Sequence, residues 1–297
     1  MKRFARTRVV QSALLVVLVV AASVLLAGGA ASASPTPVGL GTATTFAIRA
    51  GSGVSNTGAG TTITGDVGNS PGAGSQYTGL TCAQIIGNIY EVSAGGPAPC
   101  TQLNPGLMTT VENDARTAFN HTSALPGATP LATDLAGQNL VSGIYSFGAA
   151  ATNLSGTLTL NAQGDPNAVW IFQASSSLIT SPGSTVAFTN LPPGVTAAQL
   201  ACNVYWTVGS SATIDTTTTF VGTVLASASI TVNNGATVTG RLLAANAAGA
   251  GGAVTLINDT IVRPTGCATL PAGTGGGPAT PPSAPTTPIV IGPRFTG

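Results

Sequence analysis

Two stretches of this chain, SATIDTTTTFVG at 211–222 and SITVNNGATVTG at 229–240, are near copies of each other at an offset of 18 residues. A unit that short cannot bury a hydrophobic face by itself. It becomes stable only when stacked on further copies, so the repeat predicts a solenoid. A third copy, AVTLINDTIV at 253–262, follows a Gly/Ala insertion at 247–252. Looser copies at 53–65, 155–161 and 176–188 bring the expectation to about six coils.

Each coil resolves into three short runs. One is apolar throughout, as in FAIRA at 46–50, VWIFQ at 169–173, VYWTV at 204–208 and RLLAA at 241–245. The other two alternate, around Ile214, Val232 and Leu256, and around Ile63, Val186, Phe220, Val238 and Ile261. Alternation marks a strand with one face in water, whereas a continuous apolar run marks a strand covered on both faces. Three strands per coil therefore predict a mainly β, triangular solenoid with one covered face.

One segment, 104–125, has the spacing of a helix that could supply the cover. Asn104 suits the N-cap and Pro105 the first helical position, while Met108, Val111, Ala115, Ala118 and Phe119 form one apolar stripe. Such a helix is about 30 Å long, close to the height of about six coils stacked ~4.8 Å apart. Residues 69–100 fit neither pattern and are expected to be an inserted cap on one end of the stack, hiding an edge that would recruit other strands.

The ends of the chain read differently. Residues 1–33 combine Lys2, Arg3, Arg6 and Arg8 with a short apolar run and the small residues Ala31-Ser32-Ala33, the pattern of a cleaved signal peptide. Residues 269–297, rich in Pro, Gly and Thr, read as a disordered tail, which leaves 34–268 as one domain. Without the leader the chain has five Arg against eight acids, a formal charge of −3. No basic patch is available for nucleic acid or, beyond export, for a membrane. Cys82, Cys100, Cys202 and Cys267 in an exported chain predict disulfides. Of the three possible connectivities, Cys82–Cys100 with Cys202–Cys267 is favoured. The first closes the Gly/Pro-rich excursion and the second ties the start of the last repeats to their end.

The segments LGTATTFAIRAGSGVSNTG (40–58), TITGDVGNSPG (62–72), SGTLTLNAQGDPNAVWIFQ (155–173), CNVYWTVGSSATI (202–214) and FVGTVLASASITVNNGATVTGRLLA (220–244) closely resemble the ice-binding-protein family of microbes. The resemblance implies a right-handed, discontinuous β-solenoid flanked by a long helix, with the N-terminal coil placed among later ones. It also implies an ice-contacting flat face next to the helix-covered one, on which some relatives carry Thr-Ala/Gly-x-Thr/Asn. Here the corresponding quartets begin at Ser52, Ser176, Ser210, Ala228 and Gly252, and none matches that motif strictly. Ile179 replaces a hydroxyl altogether.

Stacked strands give a grid of about 4.8 Å by roughly 6.6 Å, on which stiff Thr side chains can order water without the disordering pull of charge. The candidate ice-contacting residues are Ser52, Ser55, Ser177, Ser211, Thr213, Ser229, Thr231 and Thr255, with Thr57, Asp215 and Asn233 at the margin. A second, more regular column, Thr62, Thr185, Thr219, Thr237 and Thr260, lies on the third face. The expected function is a secreted, monomeric antifreeze protein whose partner is an ice surface and which needs no cofactor or metal.

Two other classes compete. A β-helical enzyme needs converging carboxylates, whereas Asp66, Asp165, Asp215 and Asp259 are scattered over different coils and His121 falls on the helix. A cell-surface adhesin or carbohydrate-binding module needs an exposed aromatic platform. Of Tyr77, Tyr90, Trp170, Tyr205 and Trp206, Trp170 is the candidate only if the helix leaves it uncovered.

Overall fold

The computed structural model describes residues 35–247 and 251–267. The leader expected over 1–33 and the tail expected over 269–297 lie outside them. The described strands form a 16-stranded and a 7-stranded sheet, and every strand pairing is parallel.

The 18-residue offset is the length of one turn of chain. Thr213 stands opposite Thr231, Phe220 opposite Val238 and Val224 opposite Leu242. Each turn therefore adds one strand to each of three rows. The first row holds the apolar runs, such as Val204–Val208, buried along its whole length. The second row is the separate 7-stranded sheet, and the third shares the larger sheet with the first. In the second row alternation does what it predicts: Ala212, Ile214, Ile230, Val232, Val254 and Leu256 point inward and are buried, while the residues between them stay half-exposed. Inside, Phe172 and Trp206 stack with centroids 4.0 Å apart, and Trp206 then meets Phe220 at 5.2 Å.

The order of strands in space departs from the order in sequence at one junction. Phe46–Ala50 pairs with Thr237–Leu243, Gly53–Asn56 with Ala253–Leu256, and Thr62–Thr64 with Thr260–Val262. The first turn of the chain thus sits on the last one. Residues 69–100, which show no repeat in sequence, carry short strands that continue all three rows beyond it: Tyr77–Thr78, Ile85–Ile86 and Ile89–Glu91.

Helix α1, Pro105–Ala124, returns the chain from one end of the first row, next to Thr101–Leu103, to the other, next to Thr129–Pro130. The Asn104 side chain accepts a hydrogen bond from the Leu107 N–H at 3.1 Å, and Pro105 opens the first turn. Met108, Val111, Ala115 and Ala118 are buried against Phe46, Val169, Ile171, Tyr205, Leu225 and Leu243 of the first row. Thr122, rather than the half-buried Phe119, completes the buried stripe. Its hydroxyl donates to the Ala118 carbonyl (2.9 Å) and accepts from the Thr207 hydroxyl (2.6 Å). The first row contains ten strands, which at ~4.8 Å spacing span roughly 43 Å. At about 30 Å the helix is shorter than the row it crosses, not matched to it as the sequence suggests. The reason is that the segments 69–103 and 129–146 add strands that show no repeat.

Two disulfides, Cys82–Cys100 and Cys202–Cys267, take the favoured connectivity. Asp259 is fully buried and accepts hydrogen bonds from the N–H groups of Ala236 (3.1 Å) and Ile257 (2.6 Å). Burial outweighs these bonds and pushes its carboxyl up to about 6 from an ordinary 3.8. The native state then holds this proton more tightly than the unfolded one, so stability rises as pH falls through 6 toward 3.8. Asp134 and Asp215 shift downward and act below that window. Chemical denaturation at pH 5 is expected to require more free energy than at pH 7.5, by on the order of 1 kcal/mol. Asp259→Asn should flatten the profile, and an unchanged slope in that variant would assign the effect to another group.

Candidate functional site

Among the described residues no helix packs over the second row, and its register makes it a lattice. Along one line Asn153, Ile179, Thr213, Thr231, Thr255, Ser55 and Thr78 stand opposite one another. These are the outward positions, one strand spacing of about 4.8 Å apart. Their strands contain no charged residue.

A flanking line two residues earlier holds Ser177, Ser211 and Ser229, all half-buried. The hydroxyls of Ser211 and Ser229 tie adjacent turns together: Ser211 Oγ accepts from the Ser229 N–H at 3.3 Å, and Ser229 Oγ from the Ala253 N–H at 3.1 Å. Within the central line Ser55 Oγ donates to Thr255 Oγ1 at 3.2 Å. Side chains held this way keep their positions without waiting for a ligand to order them.

A third line, two residues later, holds Asp215, Asn233, the half-buried Ile257 and the exposed Thr57. Asn233 Nδ2 donates to Asp215 Oδ1 at 2.9 Å, and the Thr216 N–H donates to the same oxygen at 2.7 Å. The Asn233 amide, with the Thr216 N–H behind it, holds the Asp215 carboxyl below its usual range, so it is charged at neutral pH. That places one formal charge at the margin of the lattice and none in its centre.

The eleven residues named from sequence thus fall on or beside this row. Gly53 is opposite Ala253, so Ser52 stands beside Gly252, as its quartet has it, and donates its N–H to the Gly252 carbonyl at 3.1 Å. Thr78 and Asn153 belong to the central line but were not singled out. Thr78 lies in the segment without repeats, and Asn153 sits on a strand whose buried inward residue Thr152 is polar, which hides the alternation. Ile179, 41% exposed, interrupts the hydroxyls near one end.

The third row carries the rival line Thr157, Thr185, Thr219, Thr237, Thr260 and Thr62, also in direct register. Its neighbouring outward line mixes Thr239 and Thr64 with Val262 and the exposed Ile86. The second row is therefore the broader polar lattice.

The residues of the competing readings have other uses. Asp66 accepts from the Asn88 N–H at 3.0 Å and Asp165 from the Asn167 N–H at 2.8 Å. Asp134 accepts from the Ala136 and Ser155 N–H groups at 3.0 and 3.1 Å. Among the described residues no three His, Cys, Asp or Glu side chains gather as a metal site. Trp170, Tyr205 and Trp206 are buried at 2% exposure or less, so they present no platform to a sugar.

Comparison with known proteins agrees with this geometry. The model of the family described as ice-binding-like matches residues 48–262. The ice-binding protein of Colwellia sp. is 35% identical over 242 residues, covering 80% of this chain and 88% of its own. That of Nostoc sp. (strain HG1) is 37% identical over 234 residues, covering 78% and 76%. The crystal structure of an ice binding protein from an Antarctic biological consortium is 36% identical with a TM-score of 0.64, over 78% of this chain and 93% of that one. With its match to the family model running from the first turn of strands to the last, the chain belongs to the ice-binding-like family.

Proposed function

We propose that this protein binds ice through the outward face of the second row and so inhibits ice growth and recrystallisation. The observation that carries the reading is the central line from Asn153 to Thr78, seven outward residues in unbroken register with no charge among their strands. A crystal surface is periodic in two dimensions, and a partner that matches it must be periodic too. Strand spacing fixes one repeat at about 4.8 Å and side-chain alternation fixes the other at roughly 6.6 Å. The methyl group and stiff χ1 of Thr hold surface water in place, and hydroxyls anchor it.

In this reading the strands wind as a right-handed triangular solenoid of about six repeating coils. Residues 69–100 cap one end, and 34–268 form the ice-binding domain. Ser52, Ser55, Thr57, Ser177, Ser211, Thr213, Asp215, Ser229, Thr231, Asn233 and Thr255 make or border the contact. The protein acts outside the cell after removal of 1–33, as a monomer, without cofactor and without catalysing a reaction. Adsorbed molecules confine growth to curved fronts between them, which lowers the freezing point slightly and stops coarsening.

The test is cold-stage microscopy of the purified protein, with a heat-denatured sample as control. Faceted crystals that cease to coarsen are expected. Rounded, coarsening crystals from folded protein would overturn the proposal in favour of a surface adhesin.

A further inference from the structure

Glu91 ends the strand Ile89–Glu91 of the first row and is only 5% exposed. No cation answers its charge: the ion pairs among the described residues are those of Arg49 and Arg116, both with Glu112. The hydrogen bond that its carboxylate accepts there comes from the Gly96 N–H, at 2.8 Å. A carboxylate out of water with one donor and no counter-charge is costly.

The atoms around it are mostly oxygens. A Cβ added to Gly74 would run into Glu91 Oε2 and the Ser93 carbonyl oxygen at once, so these two oxygens lie side by side. The Ser93 carbonyl accepts from the Gly74 N–H at 3.0 Å and keeps a second lone pair. A Cβ added to Gly96 would stand 2.9 Å from both Glu91 Oε2 and Thr101 Oγ1, so the Thr101 hydroxyl flanks the carboxylate from the next strand. That hydroxyl gives its proton to the Pro97 carbonyl at 2.7 Å, which leaves its oxygen an acceptor.

Asn69 supplies an independent observation. It stands directly opposite Glu91, so the two side chains leave the same face of the row about 4.8 Å apart. Asn69 is fully buried, and its Nδ2 donates to the Ala73 carbonyl at 3.0 Å, but its Oδ1 has no donor. A buried amide oxygen without a donor needs an explanation, and here it neighbours a buried carboxylate without a cation. One bound cation satisfies both.

We propose that Glu91, Asn69, Ser93 and Thr101 hold a calcium ion that braces the segment without repeats against the first row. The ligands are the Glu91 carboxylate, Asn69 Oδ1, the Ser93 carbonyl and Thr101 Oγ1, with water completing the six to eight oxygens that calcium takes. Calcium accepts a mixed, irregular set of this kind, whereas magnesium demands a near-ideal octahedron. Ser93 is exposed and opens the site to solvent. One charged ligand places the affinity at the weak end for calcium modules, a dissociation constant of about 1 mM. Asn69 and Glu91 share the inward face of Val67 and Ile89, so the site stands independently of the ice-binding reading.

Calorimetry of the full chain, first freed of metal with a chelator, tests the site with calcium chloride as the probe. At about tenfold over the expected dissociation constant, calcium should raise the melting temperature by about 3–5 °C, and sodium chloride of equal ionic strength should not. Glu91→Gln keeps the shape and an acceptor for the Gly96 N–H. Without calcium it should melt at or above the parent, since it removes an unanswered charge, and it should lose the calcium shift. Asp165→Asn, in a loop between other strands, should keep the shift. Asn69→Asp puts a second carboxylate beside the first and should tighten calcium binding by about tenfold or more in a titration. Should Glu91→Gln fail to fold, the Asn69→Asp comparison decides. A calcium shift no larger than that of sodium, an equal shift in folded Glu91→Gln, or calcium binding no tighter in Asn69→Asp would each overturn the proposal.

Discussion

Thr231→Tyr and Thr213→Tyr, made singly, are expected to cut ice recrystallisation inhibition by about tenfold or more, equivalent to roughly 1.4 kcal/mol of lost adsorption. Thr231 stands between Thr213 and Thr255 in the middle of the central line, and all three are half-buried outward residues of three- or four-residue strands. A tyrosine ring there projects beyond its neighbours and holds the whole lattice away from a flat crystal. The same ring contacts nothing inside, because the inward residues on either side, Ile230 and Val232, keep their packing. Stability should therefore change by no more than about 0.5 kcal/mol, the usual range for a surface site. Thr237→Tyr places the same ring on the third row, where Thr237 lies between Thr219 and Thr260, and should leave activity intact. If Thr237→Tyr abolishes activity while the other two variants keep it, the ice-contacting face is the third row.

The contrast between rows also explains what could be read from the residues alone. Thr213, Thr231 and Phe220 declared their positions because the turn from 211 to 240 repeats at a constant 18 residues, which is the register itself. The step from Thr231 to Thr255 is longer by the six residues of 247–252, and was readable because the inserted residues are all Gly or Ala. Tyr77–Thr78 and Ile85–Ile86 were unreadable as strands: two residues carry no period, and only pairing with Gly53–Asn56 and Thr62–Thr64 makes them extended. Ser52 keeps the place its quartet gives it, beside Gly252 and one residue before the line of Ser211 and Ser229. Thr122 does not show in an apolar stripe because it is polar, yet a buried hydroxyl with two partners satisfies the same position.

The stacking of the first turn on the last could not be derived from residue periodicity, since any turn with the right alternation can stack on any other. It was implied by family resemblance, and one side chain gives it a physical basis. Arg49, on the first turn, sends Nη1 to the carbonyls of Ala244 (2.6 Å) and Ala245 (3.0 Å) on the last turn, and Nη2 to the carbonyl of Ser70 (3.0 Å) on the following one. Glu112 of α1 completes the arrangement, accepting from Ser70 Oγ at 3.1 Å and from Arg116 at 2.7 Å. One guanidinium thus joins three turns and the helix where no peptide bond links the first turn to the last.

Arg49→Met is therefore expected to destabilise the protein by about 3–5 kcal/mol, since it strands three buried carbonyls at the junction. At this chain length that corresponds to a fall in melting temperature of roughly 6–20 °C. Glu112→Gln should cost less, because Glu112 is partly exposed and the carbonyl contacts of Arg49 survive. Arg49→Lys distinguishes geometry from charge. A lysine keeps the cation but presents its three donors from one nitrogen, and cannot span carbonyls that now bind two different nitrogens of the fork. Calorimetry should place Arg49→Lys near Arg49→Met. A melting temperature restored to that of the parent would mean that the junction needs only a positive charge beside Glu112, and the fork would then carry no part of the specificity that seats the first turn on the last.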